Sequence, residues 1–323
     1  MKINVLGAGT WGTALAYILS QNDFNVVIWG RDSDKIKNLN ATKKHPNLQE
    51  FLIPSNITYV SELADLDSNI VIVATPAKFI DDFLSLNLEE KFDKIVFACK
   101  GFYKLDDNRL KNVYDKLAIL SGPSHAEEVI QKKETAVLAA SKNIELAKEI
   151  QEMFSTSSFR VYRSEDVWGA YIGGVVKNII AIAAGICDGL QLGDNTKAAL
   201  VSRGMSEIVD FSKTISDNNK SFNPETLYGL SGLGDLVCTA YSNHSRNRKF
   251  GQLIGEGYSS EESLKKIGMV VEGFESSEII NSMIENDNIS MPICKEIYKI
   301  LYHDKDPKQS LHNLMNRKLI SEN

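Results

Sequence analysis

Near its N-terminus the chain reads Ile3-Asn4-Val5-Leu6-Gly7-Ala8-Gly9-Thr10-Trp11-Gly12, and the helical run Thr13–Ser20 follows directly. An apolar strand, a G-x-G-x-x-G turn and a helix in this order are typical of the first βα unit of a nucleotide-binding sheet. In such a turn Gly7 permits the tight bend, Gly9 lets the backbone approach a pyrophosphate, and Gly12 lets helix and strand pack closely. The positive end of the helix dipole then favours the phosphates. The segment therefore predicts a dinucleotide site.

Strand-like runs continue outward from this turn and alternate with helical stretches. Such alternation is typical of βαβ units and a largely parallel sheet. Beyond residue 162 the pattern is helical, with loops expected at Asp217–Pro224 and Gly229–Gly234. We therefore expect an α/β, Rossmann-type doubly wound dinucleotide-binding domain over residues 1–162 and an all-α substrate and catalytic domain over residues 163–323. The expected strands are Ile3–Leu6, Val26–Trp29, Ile57–Val60, Ile70–Ala74, Ile95–Ala98, Ala118–Leu120, Thr135–Ala140 and Phe159–Tyr162.

The second strand ends in Gly30-Arg31-Asp32, where a site specific for NAD usually places an acid for the ribose hydroxyls. Here the arginine comes first, and its guanidinium could bind a 2′-phosphate or stack on the adenine. Asp32 follows, so NADH stays possible, and a solvated charge pair is the plain structural alternative. The sequence favours NADPH or NADH as cofactor, with a leaning toward NADPH.

A second informative segment runs from Val167 to Cys187 with one charge, Lys177, at its centre. On a helix the face around this lysine carries small residues, and the branched residues fall on the opposite side. Each glycine costs about 1 kcal/mol of helix propensity relative to alanine, so the row suggests that something approaches closely. Lys177 then either meets a ligand or is a structural lysine paired with a hidden carboxylate. The small residues are Gly169, Ala170, Gly173, Gly174, Ala181, Ala184 and Gly185.

The same segment is long enough to cross a bilayer. Against this, a lysine at the centre costs roughly 3 kcal/mol on insertion scales, and no second hydrophobic run accompanies it. We therefore expect no membrane span.

Further polar residues follow the fifth and sixth strands. Lys100 emerges where open α/β sheets bind their ligands, beyond the carboxyl end of a strand, although ordinary lysines also end strands. The run Gly122-Pro123-Ser124-His125-Ala126-Glu127 offers a capping box, Ser124-x-x-Glu127, and a plain helix start is the alternative.

In the second half a glycine-rich turn ends in an acid, Asp235, and Ser245-Arg246-Asn247 follows. Hydrogen-bonding groups beside a cation suit a phosphate, which an arginine can grip with two hydrogen bonds. The basic run could equally be a solvated helix face.

Composition excludes several classes of function. The net charge of −6 and a pI near 5.5 argue against a nucleic-acid partner. The five histidines show no metal-ligand spacing, so no metal is expected. The four cysteines are far apart, which suits a reducing compartment, and the N-terminus runs straight into the glycine turn rather than resembling a signal peptide. We expect a cytoplasmic protein.

Several of these motifs occur together in one order and resemble the bacterial NAD(P)-dependent glycerol-3-phosphate dehydrogenases from the first strand to about residue 310. Two departures are small: His125 stands where an aromatic residue is commoner, and the Arg31 region varies within the family. The motifs are Gly7-x-Gly9-x-Trp11-Gly12, Lys100-Gly101, Gly122-Pro123-Ser124, Lys177-Asn178, Gly232-Leu233-Gly234-Asp235, Ser245-Arg246-Asn247-Arg248 and Val271-Glu272-Gly273.

The resemblance implies reversible reduction of dihydroxyacetone phosphate to sn-glycerol 3-phosphate, which supplies phospholipid synthesis, by a homodimer. It implies that Lys177 is the catalytic acid and base. Its implied cofactor contacts beyond the three glycines are Thr10, Trp11, Arg31, Lys100, Ala126, Arg246, Val270 and Glu272. Its implied substrate contacts are Lys100, Gly122, Ser124, Lys177, Asp235, Ser245, Arg246 and Asn247.

Chemistry supports the same role for Lys177, because a ketone that accepts hydride on carbon needs a cation near its oxygen and a proton for it. Two other functions stay open: a related β-hydroxyacid dehydrogenase, whose substrate carries a carboxylate, and a non-catalytic NAD(P)-binding module.

Overall fold

The computed structural model describes residues 1–48, 50–103, 108–216, 222–319 and 321 of the 323-residue chain. The chain packs as two compact units, Met1–Gly174 with Ser221–Asp235, and Val175–Lys220 with Leu236–Asn323. These units are defined by packing, whereas the division expected at residue 162 rests on the change from alternating strands and helices to an all-helical pattern, and that division stays a prediction. Residues 217–221 of the loop expected at Asp217–Pro224 lie outside the described residues.

The first unit is built on a sheet that has eight strands within the described residues, in the order β3-β2-β1-β4-β5-β6-β7-β8. Neighbouring strands are parallel except β6 and β7. The strand order reverses between β1 and β4, the kind of switch point at which doubly wound sheets bind ligands. The strands are β1 Lys2–Leu6, β2 Asn25–Trp29, β3 Ile57–Val60, β4 Ile70–Val73, β5 Lys94–Phe97, β6 Leu117–Ser121, β7 Thr135–Ala140 and β8 Phe159–Ser164.

These strands follow the apolar runs of the sequence. β4, Ile-Val-Ile-Val, is buried at every residue, as expected of a parallel strand covered by helices on both faces. The predicted α/β doubly wound fold is confirmed, and each of the eight expected strands is present. The helices of this unit are α1 Thr10–Gln21, α2 Ser33–Thr42, α3 Ile80–Ser85, α4 Leu88–Lys91, α5 Asn108–Asn112, α6 Ala126–Ile130 and α7 Ile144–Phe154.

The remaining helices form the C-terminal part of the chain, as the sequence predicts. The long helix α8 begins in the first unit and ends in the second, and α10 begins at Asp235, the last residue of the first unit. The helices are α8 Val167–Gly189, α9 Gly193–Ile215, α10 Asp235–Tyr241, α11 Arg246–Gly255, α12 Ser260–Ile267, α13 Glu272–Asn286, α14 Pro292–Tyr302 and α15 Pro307–Met315.

Backbone from other segments of the protein lies close to two of the glycines of α8. A Cβ built on Gly173 would lie 2.6 Å from the Ser231 carbonyl oxygen, and one on Gly185 would lie 1.9 Å from that of Arg248. The close approach expected along the small-residue face is therefore made at these positions by polypeptide, because only a missing Cβ lets two backbones pack so closely.

Among the described residues, α8 is the one helix whose length and composition would suit a bilayer, and its apolar window is completely buried within the structure. Burial of this kind is what a core helix requires.

Candidate active site

In the glycine turn between β1 and α1, two glycines pack against backbone and the third, Gly9, faces open space. Gly7 has φ of +121°, and a Cβ there would lie 2.8 Å from the Ala74 carbonyl oxygen. A Cβ on Gly12 would lie 2.0 Å from the Gly7 carbonyl oxygen, so helix and strand pack closely, as the sequence predicts. A Cβ on Gly9 would have no described atom within 4 Å. This open side at the start of α1 is the space that a dinucleotide pyrophosphate needs.

A histidine that the sequence reading did not single out lies against this turn. His45 is buried, contacts the Ala8 backbone, and accepts a hydrogen bond at Nδ1 from the Asn47 N–H at 3.2 Å. The pKa of His45 is lowered to about 4, mainly by burial and to a smaller extent by the Lys35 charge, while the Ala8 backbone opposes the change. The imidazole is therefore neutral beside the turn at physiological pH.

The two charged residues that follow β2, Arg31 and Asp32, make different contacts. The Asp32 carboxylate caps α2 by accepting hydrogen bonds from the Asp34 and Lys35 N–H groups, at 3.1 and 2.9 Å. The Arg31 guanidinium is exposed and lies over the Phe79 ring, 4.0 Å from its centroid. Because Asp32 already caps the helix, Arg31 is the better placed of the two for an adenosine ribose or its 2′-phosphate.

Four of the residues expected to bind substrate lie together in the first unit. The Lys100 ammonium donates to the Gly122 carbonyl oxygen at 2.8 Å and lies 3.3 Å from the Ser124 hydroxyl. It also lies 3.3 Å from the Asp235 carboxylate, whose side chain is only 2% exposed, against 19% for Lys100. Burying a carboxylate is costly unless it is paired, so the ion pair keeps the Lys100 ammonium beside the Asp235 carboxylate. We call this set the Lys100–Asp235 cluster.

Of the two interpretations of the Ser124–Glu127 run, the capping box is wrong and the plain helix start is correct. His125 occupies the N-cap position of α6 and makes no side-chain capping bond. The Ser124 hydroxyl instead donates to the Gly122 carbonyl oxygen at 2.9 Å, which places it beside Lys100. Ala126, an expected cofactor contact, is the buried first residue of α6. Trp11, another, donates its indole N–H to the Ala98 carbonyl oxygen at 2.8 Å, two residues before Lys100.

In the second unit, Lys177 is nearly inaccessible, at 2% exposure. Its ammonium donates to the Thr239 hydroxyl at 3.1 Å. Thr239 lies on α10 four residues after Asp235, so the two side chains share one face of that helix. The sequence reading missed Thr239, although its i, i+4 spacing from Asp235 was a usable signal.

Asn178, the residue after Lys177, organises the neighbouring helices. Its side-chain oxygen accepts a hydrogen bond from the Asn247 amide at 2.9 Å, and the Asn247 oxygen accepts one from the Gly273 N–H at 2.9 Å. The amide of Asn247 is therefore held in a fixed orientation by α8 and α13.

The Ser245-Arg246-Asn247 run is only partly the solvated face that the sequence allowed. Ser245 is buried and caps α11 by accepting a hydrogen bond from the Arg248 N–H at 3.2 Å. Arg246 is exposed and donates to the Val270 carbonyl oxygen at 3.0 Å, which brings together two of the expected cofactor contacts. Glu272, a third, begins α13 two residues later.

A doubly wound sheet with an open glycine turn at its first helix is typical of dinucleotide-binding proteins, and the buried Lys177 on α8 suits the class of NAD(P)-dependent dehydrogenases. Residues 2–147 match the family model described as NAD-dependent glycerol-3-phosphate dehydrogenase N-terminus, and residues 166–312 match the model of its C-terminus. The chain belongs to the family of NAD-dependent glycerol-3-phosphate dehydrogenases. The expected family, oxidoreductase class and nicotinamide cofactor are thereby confirmed.

Individual relatives agree with this assignment. A glycerol-3-phosphate dehydrogenase [NAD(P)+] of Clostridium botulinum is 41% identical over 332 residues, covering 99% of each chain. One of Oceanobacillus iheyensis is 40% identical and covers 98% of this chain and 94% of its own. The crystal structure of glycerol-3-phosphate dehydrogenase from Coxiella burnetii is 34% identical, with a TM-score of 0.90 over 98% of this chain and 99% of its own.

Proposed function

We propose that the chain catalyses the reversible reduction of dihydroxyacetone phosphate to sn-glycerol 3-phosphate with NADPH or NADH. The observation that carries the proposal is Lys177, a nearly inaccessible ammonium hydrogen-bonded to the Thr239 hydroxyl. A proton donor of this kind is what a ketone reduction requires.

The glycine turn fits the cofactor, because Gly7 and Gly12 are closed by backbone while Gly9 leaves open space at the start of α1. Gly7, Gly9, Thr10, Trp11 and Gly12 would hold its pyrophosphate side. Arg31 would hold the adenosine end, and Lys100, Ala126, Arg246, Val270 and Glu272 are the other proposed contacts. When bound, the nicotinamide supplies the hydride.

Lys177 would act as general acid in the direction of reduction and as general base in the reverse direction. Its positive charge stabilises the alkoxide that develops on the carbonyl oxygen, and its proton neutralises that oxygen. The Thr239 hydroxyl, 3.1 Å from the ammonium, restricts where that proton can be delivered.

The Lys100–Asp235 cluster would bind the hydroxyl end of the substrate. Lys100 offers a cation held by an almost fully buried carboxylate, and Gly122 and Ser124 lie beside it. Ser245, Arg246 and Asn247 would bind the phosphate, with the exposed Arg246 guanidinium supplying two parallel N–H donors.

The test follows NAD(P)H absorbance with dihydroxyacetone phosphate for the wild type and for Lys177→Met, which keeps the apolar stem. We expect kcat to fall by at least ~10², the usual contribution of a general acid, with cofactor affinity within a few-fold. Lys197→Met is the matched control, because Lys197 is also buried in the second unit but pairs with Asp188 at 2.8 Å. It should lose stability and keep its kcat.

Two results would contradict the proposal. Turnover of 3-hydroxyisobutyrate or 6-phosphogluconate in place of the phosphorylated ketone would indicate a β-hydroxyacid dehydrogenase. Binding of NAD(P)H without turnover of any of these substrates would indicate a non-catalytic module.

We also propose a cytoplasmic homodimer that supplies sn-glycerol 3-phosphate to glycerophospholipid synthesis, as the family resemblance implies. Sedimentation equilibrium of the purified chain tests the dimer, because a mass equal to one chain would contradict it.

A further inference from the structure

The Tyr171 hydroxyl group on α8 ties down one end of the segment that carries Lys100. The Tyr171 hydroxyl accepts a hydrogen bond from the Tyr103 N–H at 3.0 Å and donates one to the Tyr103 carbonyl oxygen. Both residues are only 5% exposed, and their ring centroids lie 4.6 Å apart. One oxygen atom thus pairs with both backbone polar groups of residue 103, which would be costly to leave unpaired in a buried position.

Aromatic packing fixes the two ends of this segment. Phe97, the last residue of β5, contacts the Tyr103 ring edge to face, with centroids 5.3 Å apart. Tyr171 in turn contacts Trp168, with centroids 6.3 Å apart. Lys100 lies midway between Phe97 and Tyr103, so the path of its backbone is set by contacts with β5 on one side and α8 on the other.

The segment that carries Asp235 is anchored to the start of the same helix. The buried Asp166 carboxylate accepts hydrogen bonds from the Gly169 N–H at 2.9 Å and the Asn223 N–H at 3.0 Å. Asn223 caps the short turn Pro224–Tyr228, which leads into the π-helical turn Leu230–Gly234 and then Asp235.

A second contact fixes this segment farther along the helix. A Cβ on Gly173 would lie 2.6 Å from the Ser231 carbonyl oxygen and 2.9 Å from the Gly232 Cα. The backbone of the π-helical turn therefore lies directly against α8, and no side chain separates them. Asp166 and Gly173 hold this segment at two points, just before Asp235 enters α10.

We infer that Tyr171 and Asp166 are positioning residues that set the geometry of the Lys100–Asp235 pair. The two charges are 135 residues apart in sequence, and each reaches the pair from a segment tied to the first turns of α8. The inference rests on the proposed function, in which this pair binds the substrate. Misplacement of a binding group by about 1 Å can cost on the order of 10²-fold in rate, so small shifts of either segment have measurable consequences.

The experiment compares Tyr171→Phe, which removes one oxygen atom, with Tyr59→Phe as matched control. Tyr59 is also buried in the first unit and loses a hydroxyl bond to Thr13 at 3.0 Å. Both variants should lower Tm to a similar extent. Only Tyr171→Phe should raise KM for dihydroxyacetone phosphate, with kcat/KM falling roughly tenfold. KM for NADPH should rise less, because Lys100 is one of many proposed cofactor contacts but a central part of the substrate cluster.

Asp166→Asn provides a second variant that acts on the other segment. An asparagine has one acceptor oxygen for the N–H groups of Gly169 and Asn223, so one of the two bonds that tie this segment to α8 is lost and the same split between the two KM values is expected. Should Tyr171→Phe fail to fold, this variant alone decides.

Unchanged kinetics in a folded variant would overturn the inference, and so would equal changes in both KM values. Wild-type protein that does not reduce dihydroxyacetone phosphate would instead contradict the proposed function, before any variant is compared.

Discussion

The glycines of the β1–α1 turn and the glycines of α8 meet opposite surroundings. In the turn, Gly7 and Gly12 are closed by backbone, but Gly9 faces open space, with no described atom within 4 Å of a Cβ. In α8, Gly173 and Gly185 both contact carbonyl oxygens of other segments. The space beside Gly9 is open to a ligand, whereas the space beside Gly173 and Gly185 is filled by backbone of the same protein.

The difference shows that a row of glycines does not by itself mark a ligand site. Each glycine in α8 costs about 1 kcal/mol of helix propensity, and close packing of backbones is what offsets it. The chemistry proposed for this helix therefore comes from one side chain, Lys177, rather than from its small-residue face.

Gly185→Ala should produce the largest loss. Its Cβ would lie 1.9 Å from the Arg248 carbonyl oxygen, and backbone cannot move aside as a side chain can. We expect the free energy of unfolding in urea to fall by about 3 kcal/mol or more, at the upper end of the usual cost of overpacking.

Gly174→Ala in the same helix is the control, because its Cβ would meet the rotatable Ser121 hydroxyl at 3.2 Å. It should change stability by less than about 1 kcal/mol, since the gain in helix propensity offsets the contact. Equal losses in the two variants would contradict the packing role of Gly185.

Arg246→Ala tests the first residue of α11, the helix whose backbone packs against Gly185. Loss of one charge-assisted contact, about 1.5–3 kcal/mol, should lower kcat/KM for dihydroxyacetone phosphate by roughly ten- to a hundredfold. Arg246→Lys should restore only part, because an ammonium lacks the planar fork. If activity toward unphosphorylated dihydroxyacetone falls equally, Arg246 does not bind the phosphate.

Gly9→Ala should weaken cofactor binding and leave stability almost unchanged, whereas Gly185→Ala should mainly lower stability. The φ of Gly9 is −90°, which alanine adopts without strain, so stability should stay within about 0.5 kcal/mol of wild type. The added methyl group would occupy the open side of the turn and weaken NADPH binding by about tenfold, or ~1.4 kcal/mol. Fluorescence titration measures the affinity, and unaltered binding would mean that the pyrophosphate does not approach Gly9.

Arg31→Ala should have the smallest effect. The exposed guanidinium lies over Phe79, and we expect its loss to weaken NADPH by a few-fold more than NADH, because only NADPH carries a 2′-phosphate. The ratio of the two KM values measures this preference. An unchanged ratio would mean that Arg31 only stacks on the adenine.

Most of the fold could be predicted because its signals are local. The β-branched runs that became β1 to β8, and the glycine turn after β1, depend on residues close together in sequence. Lys100 could be singled out for the same reason, since it follows the end of a strand. The pairing of Lys100 with Asp235 could not be predicted, because no local pattern relates a lysine to an aspartate 135 residues away.

The sequence by itself determined the strands, the helical second half, the glycine turn and the family, because periodicity and ordered motifs are properties of neighbouring residues. Tertiary structure alone decided that Ser124 lies beside Lys100 rather than capping a helix, and that Thr239 contacts Lys177. It also decided that backbone packs against Gly173 and Gly185 of α8. The physical reason is that a hydroxyl, a buried charge or a missing Cβ acquires its role from whatever packs against it, and long-range packing brings that neighbour from elsewhere in the chain.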